Sequence, residues 1–168
     1  MDKNRPVAQL VLLLLSVAGI GIAIYLTAVH YEHVPLVCST HGFVDCSLVL
    51  SSPYSVIPGT SVPITVPGLF WGLVSAALAI IALRLSPPFS PALRNIHIAQ
   101  FTWSLVGMLT VLYLVYVEIV KLHTICAWCT AMHAIILVMF LITLVQIQQR
   151  PDCEEESETE TELESERV

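Results

Sequence analysis

Charge is what this chain has least of. Only 12% of its 168 residues are Asp, Glu, Lys or Arg, against 56% hydrophobic residues and a mean hydropathy of +0.80, outside the range of a soluble domain. Residues 7–28, 67–85, 99–117 and 125–147 carry no charged side chain except at a terminus. The chain also lacks a glycine-rich phosphate loop, a Ser-His-Asp set and a basic patch for nucleic acid, so no nucleic-acid partner is expected. What charge there is gathers at one end. Residues 150–168 hold Arg150 and Arg167 against nine acids, a local net of −7, which leaves residues 1–149 at +1 within a total of −6.

The uncharged stretches are long enough to cross a bilayer, which takes about 20 apolar residues at about 1.5 Å each. Lipid offers no hydrogen bonds, so each must be helical to satisfy its own backbone. The predicted fold is an all-α integral membrane protein, a four-transmembrane-helix bundle with a long outer loop, residues 29–66, capping it among the surrounding lipid. Lys3 and Arg5 precede the first stretch as they would in a signal peptide. Its apolar run of about 22 residues is too long for that, and no Ala-x-Ala site closes it, so an uncleaved helix is expected. Residues 1–149 form the predicted four-helix membrane domain. The acidic segment 150–168 alternates Glu with Ser and Thr, cannot bury enough surface to offset its ordering entropy, and reads as a disordered tail with a solubilising or docking role.

Basic residues near the helix ends set the orientation. With the N-terminus inside, Lys3, Arg5, Arg84, Arg94 and Arg150 are cytoplasmic and only Lys121 is outside, a strong positive-inside bias. Both termini are therefore placed in the cytoplasm and the outer loop on the far side of the inner (plasma) membrane. That side is oxidising and holds Cys38, Cys46, Cys126 and Cys129, while Cys153 falls in the cytoplasmic tail as a free thiol.

Cys126-Ala127-Trp128-Cys129 opens the fourth helix, where unpaired N–H groups and the helix dipole favour a thiolate on Cys126. Cys129, three residues on, lies nearly one turn deeper on the same face. The spacing leaves one sulfur accessible to an exchanging disulfide and directs the other into the bundle. Haem attachment would need His after Cys129, where the chain has Thr130. Cys38 and Cys46 admit two readings. Closing them removes about 2.6 kcal/mol of unfolded-chain entropy, as a structural staple would, and the same short loop is also placed to open and close beside the second dithiol. His30, His33, Cys38 and His41 follow no metal spacing, and no metal is expected.

The order Cys38, Cys46-Ser47, Ser51-Ser52, a Gly-containing second membrane helix and then C-x-x-C at the fourth resembles the vitamin K epoxide reductase family over about residues 7–147. The resemblance implies a quinone-dependent thiol oxidoreductase supporting disulfide formation. In it the loop cysteines take electrons from a thioredoxin-fold protein and pass them to the C-x-x-C, which reduces a quinone. Carried over by position, Cys38 meets the partner, Cys46 relays to Cys126, Cys129 faces the quinone and Ser52 matches the family's loop serine. Many bacterial members run on into a fused thioredoxin-like domain, whereas this chain ends in its tail. The implied partner is therefore a separate secreted DsbA-like protein. A strongly oxidising partner needs the quinone, since moving two electrons from a site near −120 mV to a dithiol near −270 mV is about 7 kcal/mol uphill.

Menaquinone, ubiquinone or vitamin K would each serve as acceptor. His133, four residues after Cys129 and one turn deeper, is placed to hydrogen-bond a quinone carbonyl. Phe70, Trp71, Tyr113 and Tyr116 fall at the outer ends of their helices, level with the C-x-x-C, where they line the ring's pocket or form the aromatic belt. His97 and Gln100, near the cytoplasmic end of the third helix, read as interfacial. Two alternatives remain: a DsbB-type quinone reductase, in which the C-x-x-C belongs to the first outer loop, and a scaffold whose disulfides are only structural.

Overall fold

A computed structural model of the chain describes residues 5–32, 38, 44–85 and 91–148. Among them five helices form: α1 (Arg5–Glu32), α2 (Cys46–Ser51), α3 (Thr65–Arg84), α4 (Pro91–Tyr116) and α5 (Ala127–Gln148). A single 3₁₀ turn, Pro53–Ser55, follows α2, and a π-helical turn, Val117–Leu122, prolongs α4. Among the described residues no β-strand forms. The helices α1, α3, α4 with its π turn, and α5 are each long and apolar enough to span a membrane. They pack as a ring in which α1 lies against α3 and α5, and α4 against α3 and α5. Side chains such as Leu14 and Leu109, about 60% exposed, point outward, as they do when lipid and not water is the solvent.

Between the helices, small and polar residues do much of the joining. A Cβ on Gly72 would come within 2.9 Å of Ile20, so glycine lets α3 press against α1. Thr27 and Thr65 share a hydrogen bond of 2.8 Å between α1 and α3, and Ser104 and Thr143 one of 2.8 Å between α4 and α5. The apolar core is Leu12, Trp71, Ala79, Val111, Ile136 and Met139.

The predicted helices all form, with one large shift of boundary. The third begins at Pro91, eight residues before the predicted start, and runs to Leu122 through the π turn. Arg94, Asn95, His97 and Gln100 dilute the hydropathy there, but the helix continues because the polar groups have somewhere to go. Gln100 and Gln9 of α1 exchange hydrogen bonds of 2.9 and 3.2 Å, and Gln9 also donates to Gln146 of α5 at 3.2 Å. His97 and Gln100 are thus not interfacial as predicted: they are 5% and 6% exposed, inside the bundle. The acidic tail, Cys153, His33 and His41 lie outside the described residues.

Candidate redox site

The site is assembled by the loop end of the bundle. Asp45 caps α2, its carboxylate accepting from the Ser47 and Leu48 N–H groups at 3.0 and 3.1 Å and from the Ser47 hydroxyl at 2.6 Å. The Ser47 hydroxyl foremost, then the Leu48 amide, hold Asp45 below the ordinary aspartate range. Just before the cap, Val44 pairs with Ile125 in an isolated parallel bridge, and the Asp45 N–H donates to the Ile125 carbonyl at 3.2 Å. This one backbone junction ties the residue before Cys126 to the residue before Cys46. Cys46, Val49 and Cys126 consequently form a buried cluster, with Cys38, Leu122, Trp128 and Cys129 packed around it.

Cys38 and Cys46 are joined in a disulfide, while Cys126 and Cys129 are thiols. Cys46 and Cys126 are both fully buried. Cys126 is therefore not open to solvent: α2 covers it, and the sulfur pair packed against it is the loop disulfide. Cys126 precedes the first residue of α5 and serves as its cap, the Cys129 N–H donating to its Sγ at 3.3 Å and the Thr130 N–H to its carbonyl at 2.8 Å. A hydrogen bond from the Cys129 side chain, helped by the Cys129 and Trp128 amides, holds the Cys126 thiol below the usual cysteine range despite its burial. Trp128 packs its ring 5.0 Å from that of Tyr25, fixing the head of α5 to α1.

Cys129 faces the other way. It lines an apolar cavity of about 300 Å³ whose walls include Ala23 of α1, Gly68 and Trp71 of α3, Gly107 and Val111 of α4, and His133 of α5. This is the lower end of the volume usual for small-molecule sites. The rim includes Phe70 and Val106, both well exposed, so the cavity opens on the flank of the bundle between α3 and α4. Trp71 and Trp103 hold each other across that gap, each indole N–H donating to the other's carbonyl at 3.2 Å. A second cavity of about 60 Å³, also bordered by Cys129 and His133, is lined by Ser52, Tyr54 and Glu118.

A family model, the vitamin K epoxide reductase family, matches residues 10–144. The chain belongs to the vitamin K epoxide reductase family. Membership makes it an oxidoreductase of the membrane that works on disulfides, and the four apolar helices make it a multi-pass protein. No curated protein matches it. Within this family member, the residues singled out by sequence fall into three groups. Cys38, Cys46, Cys126 and Cys129 come together. Ser52, buried and donating to the Val49 carbonyl at 2.7 Å, borders the smaller cavity, and His133, Phe70 and Trp71 border the larger one. Tyr113 and Tyr116 do not join them: both are half exposed and point outward, while Thr110, Val111 and Leu114 form that wall. Sequence reasoning passed over Thr65, which borders both cavities, Trp103, and Glu118. An acid ending an apolar run eight residues before the C-x-x-C was the available signal for Glu118.

Proposed function

We propose that the chain is a quinone-coupled thiol oxidoreductase that reoxidises a separate, secreted thioredoxin-fold protein. Electrons pass from the partner to the Cys38–Cys46 disulfide, from there to Cys126 and Cys129, and finally to a membrane quinone. One observation carries this reading: two cysteine pairs are packed into one cluster, and a sulfur of the inner pair, Cys129, lines an apolar cavity that opens on the lipid-facing flank. A flat, lipid-soluble ring fits walls of Gly68, Trp71, Gly107 and Ile136, and His133 supplies the one titratable hydrogen-bonding side chain there besides Cys129. Bound there, a quinone supplies a two-electron acceptor. The protein holds it against Cys129, keeps water out, and offers its carbonyl a hydrogen bond from His133.

The orientation belongs to the same proposal. The basic residues place both termini in the cytoplasm and the cysteine cluster on the outer side of the inner membrane, where a secreted partner reaches Cys38. Cys38 is only partly buried, whereas Cys46 is wholly so, which fits Cys38 as the sulfur the partner meets. Ser52 closes α2 above the junction and keeps Cys46 over Cys126.

The test is direct. Purified chain is mixed with a reduced thioredoxin-fold protein and a quinone, and quinone absorbance is followed. Loss of quinone absorbance in step with partner oxidation is expected; a chain that leaves both unchanged, with every cysteine intact, sinks the proposal in favour of a structural scaffold.

A further inference from the structure

Glu118 is a carboxyl group where a carboxyl is expensive. It is 6% exposed, at the end of the third membrane span, inside a run that is otherwise apolar. Its backbone explains how it turns inward. The π-helical turn Val117–Leu122 widens the helix, His123 ends it in the left-handed conformation at φ 51°, and the Glu118 carbonyl accepts from both the His123 and Thr124 N–H groups. Residues 117 and 118 are thereby buried while Ile119, Val120 and Lys121 stay out. A buried acid is ordinarily paired with a cation. Among the described residues, no lysine or arginine lines the small cavity that Glu118 borders, and the Cys129 thiol does.

We propose that Glu118 is the catalytic base for the C-x-x-C, its carboxylate oxygen taking the proton from the Cys129 sulfur when that pair is oxidised. The inference rests on the thiol oxidoreductase reading above and adds a residue to it. The chemistry requires such a group. Oxidising the pair breaks two S–H bonds and forms the Cys126–Cys129 bond, releasing two protons to bases of the protein and to solvent and two electrons to a bound quinone, which would become a quinol with two protons drawn through His133 and solvent. Cys126, whose Sγ accepts from the Cys129 N–H, gives up its proton readily, whereas the Cys129 sulfur lies at the wall of an apolar cavity that holds no lysine or arginine to stabilise its anion. Its proton needs an acceptor within reach, and general bases of this kind are worth about 10²–10⁴ in rate. Glu118 and that cysteine line the same small cavity, which reaches Ser52 and Tyr54 of the loop, so the proton taken by Glu118 leaves on the loop side.

A quinone-free measurement separates a base from a mere neighbouring charge, because the two predict opposite signs. In full-length protein with Cys126→Ser, Cys129 is alkylated with N-ethylmaleimide across pH 6 to 10 and quantified by peptide mapping. The groups that face Glu118 and titrate are Cys129 and His133 of α5, Cys126 at its head and Tyr54 across the small cavity; Lys121 is exposed on its own turn. With Glu118 as base, alkylation is nearly flat above neutrality and at pH 6.5 at least about tenfold faster than in Glu118→Gln, whose rate climbs with hydroxide until the two meet. Glu118→Asp, still a carboxylate, keeps the flat profile at an intermediate rate. If Glu118→Gln is alkylated faster at every pH, the carboxylate only repels the thiolate and the inference fails. It fails equally if the Asp variant follows hydroxide as Gln does. In the quinone assay Glu118→Gln should lose about a hundredfold at pH 7 and regain rate as pH rises; a loss that is uniform across pH marks a structural role and overturns the proposal. Wild-type protein that reduces no quinone would condemn the oxidoreductase reading while leaving the alkylation result standing on its own.

Discussion

Gly107 has no side chain because Trp71 occupies the space one would fill: a Cβ there would lie 2.8 Å from three atoms of the indole. The ring is rigid, held through its N–H to the Trp103 carbonyl, and forms a wall of the larger cavity. Gly107→Ala should therefore push the indole into the cavity. The expected result is an overpacking cost of about 1–3 kcal/mol in thermal unfolding, together with a rise in quinone KM of at least about tenfold. Thiol exchange at Cys38–Cys46 should be unchanged. Gly21→Ala, with nothing within 4 Å of the new carbon, is the control. A Gly107→Ala protein with wild-type quinone KM would show that the cavity is not where the ring binds. At this scale the cysteines announce themselves, since residue type and spacing define a dithiol. Which way each sulfur looks does not. Cys126 is sealed because a backbone bridge from residue 44 lays α2 over it, and nothing near Cys126 in sequence encodes that. Glu118 was hidden for a similar reason: an acid at the end of an apolar run looks interfacial until a π turn rotates it inward.

Among the elements, α2 is the most vulnerable, six residues held by one cap, one bridge and the disulfide at its first residue. Helices this short have no stability of their own. The cap is Asp45, and its ionised form is the one hydrogen-bonded, chiefly to the Ser47 hydroxyl, so its folded pKa is depressed. A depressed carboxylate adds stability that is fully present above its unfolded value of about 3.9 and is lost as pH falls through the lower folded value. Asp45 caps a helix of only six residues, so the effect is local. Amide hydrogen exchange over residues 46–51 should lose protection as pH drops below about 4, beyond the intrinsic trend. Asp45→Asn, which keeps the accepting oxygen, should abolish that pH dependence, and Asp45→Ala should fray the helix at every pH. Unchanged protection in Asp45→Ala would mean that the bridge, the disulfide and packing on Cys126 hold α2 without the cap. The four long helices were legible because hydropathy over twenty residues averages out local detail. The start of α4 was not, because Arg94, His97 and Gln100 lower that average. Their acceptance inside the bundle depends on Gln9 and Gln146, which are 91 and 46 residues away from Gln100 in sequence.

Taken whole, the molecule brings the two dithiols together from segments some eighty residues apart and leaves each sulfur a single neighbour to serve. In the proposed relay, Cys38 meets the partner, Cys46 carries electrons to Cys126, and Cys129 delivers them to the quinone. Cys129→Ser leaves Cys126 without a resolving thiol, so a Cys46–Cys126 disulfide should accumulate and quinone reduction should stop. Cys46→Ser should behave differently. A small, strong dithiol can still reduce the inner pair and support some quinone reduction, but turnover with the protein donor collapses, because a bulky donor cannot approach a sulfur buried under α2. The same proteins report the orientation: a maleimide that cannot cross membranes should label reduced Cys38 in intact cells and Cys153 only after lysis, as the five basic residues on one side against Lys121 on the other require. Early labelling of Cys153 would invert the molecule and remove the secreted partner from the scheme. If Cys46→Ser and Cys129→Ser fail alike with both donors, and peptide mapping finds no Cys46–Cys126 bond, the loop disulfide is a staple and electrons must reach Cys126 by another path.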